Sequence, residues 1–266
     1  MKMKKRVIYQ VYVGKKSKLY DHCVESVKDY CKLHNIEHVV QRQPILKIKP
    51  DVFATNRSKE SYEKHGGFLP IFEKENAFTY LKTNNQVAII DADIWIRPDS
   101  PNIFDEVPAE YDFGGVLERE MPTTVQYTYK ISNYTRMQYG MNPLQNLFDW
   151  KHSGGANFYN MGMMVLNTGF QEYLKGQTPM QFLMRPEFKA FIDGMGNWKW
   201  STDQTLLNVF VKESKMSVKN LSFEWNGLFT GIEMNRIPEC HFVHFFLKDK
   251  LPNNGENVEE LMKYVS

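Results

Sequence analysis

An α/β fold on a Rossmann-like, mainly parallel sheet flanked by helices is predicted by three features of this chain. The first ninety-five residues alternate strand-like and helix-like patterns, in the order strand, helix, strand, helix, strand. The apolar run Val87-Ala88-Ile89-Ile90 stops abruptly at Asp91-Ala92-Asp93. And no repeat or low-complexity linker interrupts 266 residues of 42% hydrophobic content, ample for one sizeable core, so a single domain over 1–266 is expected.

The elements follow in order. Residues 7–13 (Val-Ile-Tyr-Gln-Val-Tyr-Val) form a first strand ending at Gly14 and a Lys/Ser loop. Over 20–34, Cys23, Val24, Val27, Cys31 and Leu33 recur at three-and-four spacing, the pattern of an amphipathic helix packing back on the sheet. A short strand is expected at 38–40, an irregular and mobile surface segment at 44–67, and a helix at 71–81 leading into the strand at 87–90. Further on, 112–117 is a strand whose Gly114-Gly115 suggests close approach of a ligand or neighbouring backbone. Residues 119–152, rich in Tyr, Met, Asn and Gln, suit a cleft lining. Strands are expected at 158–167 and 240–246, a helix at 203–211, and Pro179 and Pro186 bracket another helix.

Composition excludes several classes. A net charge of +2 argues against a nucleic-acid binder that lives on phosphate contacts. The basic residues Lys2, Lys4, Lys5, Arg6, Lys15, Lys16 and Lys18 cluster without an acid among them, which suits an anionic ligand, peripheral contact with a membrane surface, or a solubilising tail. Three cysteines make no disulfide framework; Cys23 and Cys31 read as small buried hydrophobes of a reducing compartment. No run approaches the ~18 apolar residues of a transmembrane segment. The stretch at 7–13 is too short and polar for a signal-peptide core, so a cytoplasmic location is expected.

The chemistry centres on Asp91 and Asp93. Strand ends are where α/β proteins bind ligands. On an extended chain these carboxylates point to one face about 6–7 Å apart, and together they can hold one hard divalent cation, directly or through water. Such a cation screens a diphosphate.

Here the chain resembles the GT-A (nucleotide-diphospho-sugar transferase) fold glycosyltransferases, in particular family 8, the glycogenin and lipopolysaccharide-galactosyltransferase type. Four segments carry the resemblance. Val87–Asp93 with the trailing Ile103-Phe104-Asp105 is similar to that family's apolar strand, D-x-D and "L/I-F-D". Residues 159–167, Tyr-Asn-Met-Gly-Met-Met-Val-Leu-Asn, are similar to its "F-N-S-G-V-M-V-L-N", and Asp203-Gln204-Thr205-Leu206-Leu207-Asn208 to its "D-Q-x-x-L-N". Phe242-Val243-His244-Phe245 is similar to its "I-I-H-F".

The resemblance implies a mixed, mainly parallel sheet, a nucleotide-binding half over 1–95 and an acceptor-binding half over 96–266. It implies a metal-dependent transferase moving a sugar from a nucleotide-diphosphate donor, a UDP-sugar above all, to a hydroxyl acceptor with retention. The acceptor class, whether carbohydrate, protein or lipid-linked, is left open. Asp91, Asp93 and His244 would bind Mn2+ (or Mg2+). Asp203 and Gln204 would lie at the sugar's reactive carbon, although an Asp at a helix start also suits an N-cap. Donor contacts would come from Val11, Tyr12 and Val13, from Arg57 and Lys74, from Ala92 between the aspartates, and from Asn160 and Gly162. Tyr12 equally suits an ordinary strand aromatic, Arg57 and Lys74 a solvated face, and Gly162 tight packing. The family's "H-F-x-G-x-x-K-P-W" ending is replaced here by His244-Phe245-Phe246-Leu247-Lys248-Asp249-Lys250, where Lys248 or Lys250 would substitute for its phosphate-contacting lysine. Two rivals stand beside this reading: a phosphohydrolase using the first Asp of D-x-D as nucleophile, and a non-enzymatic nucleotide-sugar-binding protein on the same scaffold.

Overall fold

The structure, a computed structural model, describes residues 5–51 and 56–265, with the backbone alone for 56–60. The strands are β1 (Arg6–Val11), β2 (Glu37–Gln41), β3 (Gln86–Ile90), β4 (Ile94–Ile96), β5 (Phe113–Leu117), β6 (Trp150–Lys151), β7 (Gly155–Ala156), β8 (Tyr159–Asn167), β9 (Val218–Leu221), β10 (Gly227–Leu228) and β11 (Phe242–His244). The helices are α1 (Lys18–His34), α2 (Asn56–His65), α3 (Ile103–Glu106), α4 (Val125–Tyr139), α5 (Phe170–Leu174), α6 (Pro179–Leu183), α7 (Lys189–Asp193), α8 (Asp203–Ser214) and α9 (Val258–Met262).

The main sheet has the order β2-β1-β3-β8-β5-β9. β1 pairs in parallel with β2 and β3, and β5 with β9, while β8 runs antiparallel between β3 and β5. A sheet covered on both faces reads as continuous apolar runs, and β3 and β8 are buried at every position. α1 packs on this sheet through Leu19, Cys23, Val24, Val27, Tyr30 and Cys31. Ser17 caps its start by accepting from Tyr20 N, and Asn35 ends it in the left-handed region at φ 53°. All three cysteines are free and buried. No helix of the described residues is long and apolar enough to cross a membrane.

Several expectations change. The helix expected over 71–81 is a 3-10 run, Pro70–Lys82. Its residues 72–75 are all buried, so the segment is enclosed on more than one face rather than amphipathic. Within it, Glu73 accepts from the backbone N–H groups of Ile45, Leu46 and Lys47 at 2.7, 2.9 and 2.7 Å and from the Gln41 side chain. One carboxylate thus ties down part of the loop expected to be mobile, and α2 occupies more of that loop. The strand expected over 240–246 shrinks to β11, which is as long as its pairing with the three-residue β4. Gly114 admits the Val107 side chain, which stands 2.5 Å from where a Cβ would be. The close approach at that glycine is side-chain packing, and the strand bulges after Gly115.

His38 on β2 hydrogen-bonds through Nε2 to Gln10 Oε1 at 2.9 Å, and Gln10 Nε2 donates to the Asp91 carbonyl at 3.2 Å. Burial pushes the His38 ring down to about 4. The folded state therefore resists protonation that the unfolded chain accepts near 6.5. Stability is full above about pH 6.5 and declines as pH falls towards 4. Screening at this partly open site limits the loss to about 1–2 kcal/mol. Urea midpoints at pH 7 and 4.5, compared with those of His38→Gln, check this: the variant is expected to show a smaller decline, and an identical decline contradicts the assignment.

Candidate active site

The site is assembled by two backbone connections at the end of β3. Asp91 N donates to Gly162 O at 2.7 Å, and Ile94 N donates to Asp91 O at 3.1 Å, closing a turn over residues 91–94. The aspartates therefore sit on a turn and not on an extended strand. β4 then pairs antiparallel with β11, setting His244 opposite Ile94, and Phe245 N donates to Asp93 O at 2.9 Å. This pairing carries a histidine from the far end of the chain to the aspartates. His244 Nε2 lies 3.2 Å from Asp93 Oδ1 and 3.8 Å from Asp91 Oδ2. One ligand atom from each of Asp91, Asp93 and His244 falls within a 4.8 Å cluster.

Gly162 is what lets the imidazole in. A Cβ there would stand 2.3 Å from His244 Cε1 and 2.6 Å from its Nδ1. Gly162→Ala is expected to displace the ring, costing about 1–3 kcal/mol from overpacking. Urea unfolding measures the loss, and wild-type stability would contradict this packing.

Lys74 enters from the 3-10 run and binds three acceptors. Its Nζ is 2.9 Å from Asp91 Oδ1, 2.7 Å from Asp203 Oδ2 and 3.0 Å from Met161 O. It is a buried ion-pair partner, not a solvated lysine. Asp203 heads α8 but does not cap it; Thr202 does, accepting from Gln204 N at 3.2 Å. Asp203, 1% exposed, is thereby free to face Lys74. Gln204 Oε1 accepts from Met161 N at 3.1 Å, which leaves its amide NH2 as a donor.

Charge and burial set the protonation states. Burial raises the Asp91 carboxyl to about 6 against the pull of Lys74. Burial acts upwards on Asp93 too, but the His244 ring outweighs it and holds that carboxyl below its ordinary range. Burial would lower His244, yet Asp93 and Asp91 keep it above its usual value. For Lys74 the same contest, burial against Asp203 and Asp91, ends with the ammonium held firmly protonated.

Two cavities meet at this cluster, sharing Ile71, Lys74, Asp91 and Asp93. The smaller, about 200 Å³, is lined by Val11, Tyr12, Val13, Tyr20 and Ala92. The Arg42 guanidinium lies 4.2 Å over the Tyr12 ring, and the Tyr12 hydroxyl is bound to Ser17. The larger, about 360 Å³, is lined by Asn160, Gly162, Asp203, Gln204 and His244 together with Glu118, Tyr127, Tyr134, Trp200 and Phe246. The stretch expected to line a cleft supplies part of this wall through α4.

Lys248 and Lys250 do not line either cavity. Lys248 is held by Glu256 and Ser17, both at 2.6 Å, and Lys250 is exposed beside Asp249. Arg57 lies outside the residues whose side chains are described. Nothing in the sequence pointed to Asn226. Asn226 follows no motif, and only its bond to the His244 ring at 3.1 Å shows its place.

No family model and no curated protein matches the sequence. Solved structures do. A glycosyltransferase involved in glycosylation of the major capsid of PBCV-1 aligns over 97% of this chain and 99% of its own, at 11% identity and a TM-score of 0.54. The galactosyltransferase LgtC, in complex with donor and acceptor sugar analogues, aligns over 97% of this chain and 94% of its own, at 13% identity and 0.53. The bifunctional glycosyltransferase WbbM aligns over 98% of this chain and 52% of its own, at 12% identity and 0.51. The chain has the mixed α/β fold of these GT-A glycosyltransferases.

Proposed function

We propose that the protein is a glycosyltransferase that moves a sugar from a nucleotide-diphosphate donor, a UDP-sugar, to a hydroxyl acceptor with retention, using a divalent cation held by Asp91, Asp93 and His244. The observation that carries this reading is the convergence of those three side chains within 4.8 Å where the two cavities meet. Two carboxylates and an imidazole suit Mn2+, with Mg2+ as the harder alternative. When bound, such an ion neutralises charge developing on a departing diphosphate.

The remaining roles follow from the chain's own groups. The smaller cavity, built from the first ninety-five residues, takes the nucleotide against Val11, Tyr12, Val13 and Ala92. The larger takes the donor sugar and the acceptor. Lys74 brings a fixed positive charge beside Asp91 and holds Asp203 in place at the sugar. The Gln204 NH2 orients the sugar or steadies positive charge at its reactive carbon, while Asn160 and Gly162 shape the pocket wall. Retention needs no strong protein base if the acceptor hydroxyl attacks from the leaving-group face and gives its proton to the departing oxygen. Arg57, Lys248 and Lys250 remain proposed donor contacts; for Lys248 this requires release from Glu256. A cytoplasmic setting fits the three free thiols.

Thermal shifts with UDP-, GDP- and CDP-sugars, with and without Mn2+, test the reading. A stabilisation by a UDP-sugar that needs Mn2+ is expected, since a ligand at a hundred times its Kd adds about 2.7 kcal/mol. No Mn2+-dependent shift with any nucleotide sugar would overturn it.

A further inference from the structure

We infer that Asn226 is a positioning residue for His244, the last link of a hydrogen-bond chain from Glu118 through Asn160 that fixes which imidazole nitrogen carries the proton. The inference rests on the metal reading above and deepens it. Every member of the chain is buried: Glu118 3%, Asn160 5%, Asn226 0% and His244 5% exposed. In such surroundings each polar atom needs a partner of the right sense.

The sense can be followed link by link. The Gly162 backbone N–H can only donate, and its acceptor is Asn160 Oδ1 at 3.0 Å. The Asn160 NH2 therefore points the other way, donating to Glu118 Oε2 at 2.7 Å, while Tyr127 donates its O–H to Glu118 Oε1 at 2.5 Å. Asn160 Oδ1 also accepts from Asn226 Nδ2 at 2.9 Å. That turns Asn226 Oδ1 towards His244 Nδ1, 3.1 Å away. Reversing either amide would set two acceptors or two donors against each other. The Nδ1 is thus required to carry a proton, and a neutral ring leaves its Nε2 lone pair facing Asp93 and Asp91. A metal takes imidazole through the unprotonated nitrogen, and the partner of the other nitrogen sets ring orientation.

Local structure holds Asn226 in register. It follows a 3-10 turn, Phe223–Trp225, and precedes β10, whose Leu228 pairs in parallel with His244. Asn226 is therefore fixed relative to the ring by backbone pairing as well as by its side chain.

The test is Mn2+ titration by electron paramagnetic resonance on wild type, Asn226→Leu and Asn226→Asp, with circular dichroism and melting curves as folding controls. Leucine keeps the volume and loses the acceptor, so Mn2+ affinity is expected to fall about ten- to a hundredfold. Aspartate still accepts from Nδ1 but sets a second oxygen against Asn160 Oδ1 unless it takes up a proton, so it is expected to keep more of the affinity than leucine and less than wild type. Wild-type affinity in a folded Asn226→Leu would overturn the inference while leaving the metal reading intact. Absence of Mn2+ binding by the wild type would overturn both. Should the leucine variant fail to fold, 15N NMR of Mg2+-loaded wild type decides: Nδ1 bearing the proton and Nε2 shifted by the metal is expected, and an unprotonated Nδ1 refutes the chain.

Discussion

Lys74→Met is expected to lower folding stability by about 3–5 kcal/mol and to remove nearly all activity. The methionine fills similar space but leaves Asp203, with a side chain 2% exposed, without its ion-pair partner 2.7 Å away. Asp91 loses its partner as well, at a site where burial already disfavours its charge. Breaking a buried pair strands a charge, and that stranding supplies most of the loss. Guanidinium unfolding with an unchanged m-value measures it. Adding Asp203→Asn to Lys74→Met is expected to restore much of the stability without restoring activity, because the double variant removes the stranded charge together with the group proposed to face the sugar. A loss below about 1 kcal/mol in the single variant would mean that the lysine does not hold this cluster.

Asp93→Asn should behave in the opposite manner. In the metal-free protein the Asp93 charge repels Asp91 and raises it, while Asp93 itself is held charged by the His244 ring, so removing that charge relieves one neighbour and deprives the other. Replacing the Asp93 carboxylate by an amide is expected to change stability by less than about 1 kcal/mol in either direction. Turnover of a UDP-sugar is expected to fall by about two to three orders of magnitude, as when one element of charge stabilisation is removed from a reacting centre. Steady-state rates over a Mn2+ series, with a melting curve beside them, check both. If Asp93→Asn keeps wild-type turnover at saturating Mn2+, that carboxylate is not a ligand. The contrast between the two variants matters: one disrupts the frame of the site, the other only its proposed chemistry.

Much of the frame was legible beforehand. A four-residue apolar run ending in two aspartates has few structural meanings, and the strand it predicted is β3. The antiparallel course of β8 was not legible, because a strand buried on both faces carries the same apolar run in either direction. The turn at 91–94 escaped notice because two residues after a strand do not reveal whether the chain stays extended. Asp203 was ambiguous between capping and chemistry until Thr202 proved to be the cap. His244 came from the resemblance, since only the β4–β11 pairing brings it to the aspartates. Asn226 and the clasp of Lys248 by Glu256 lie outside any local pattern. Such contacts join residues by packing and leave no periodicity to find.

The central claim is that Asp91, Asp93 and His244 hold a cation that in turn holds the donor's diphosphate. Calorimetric titration of UDP into the protein, with and without Mn2+, tests it most directly. The account predicts at least about tenfold tighter UDP binding in Mn2+, a coupling of about 1.4 kcal/mol or more, abolished in His244→Ala. Equal UDP affinity with and without the metal would contradict it.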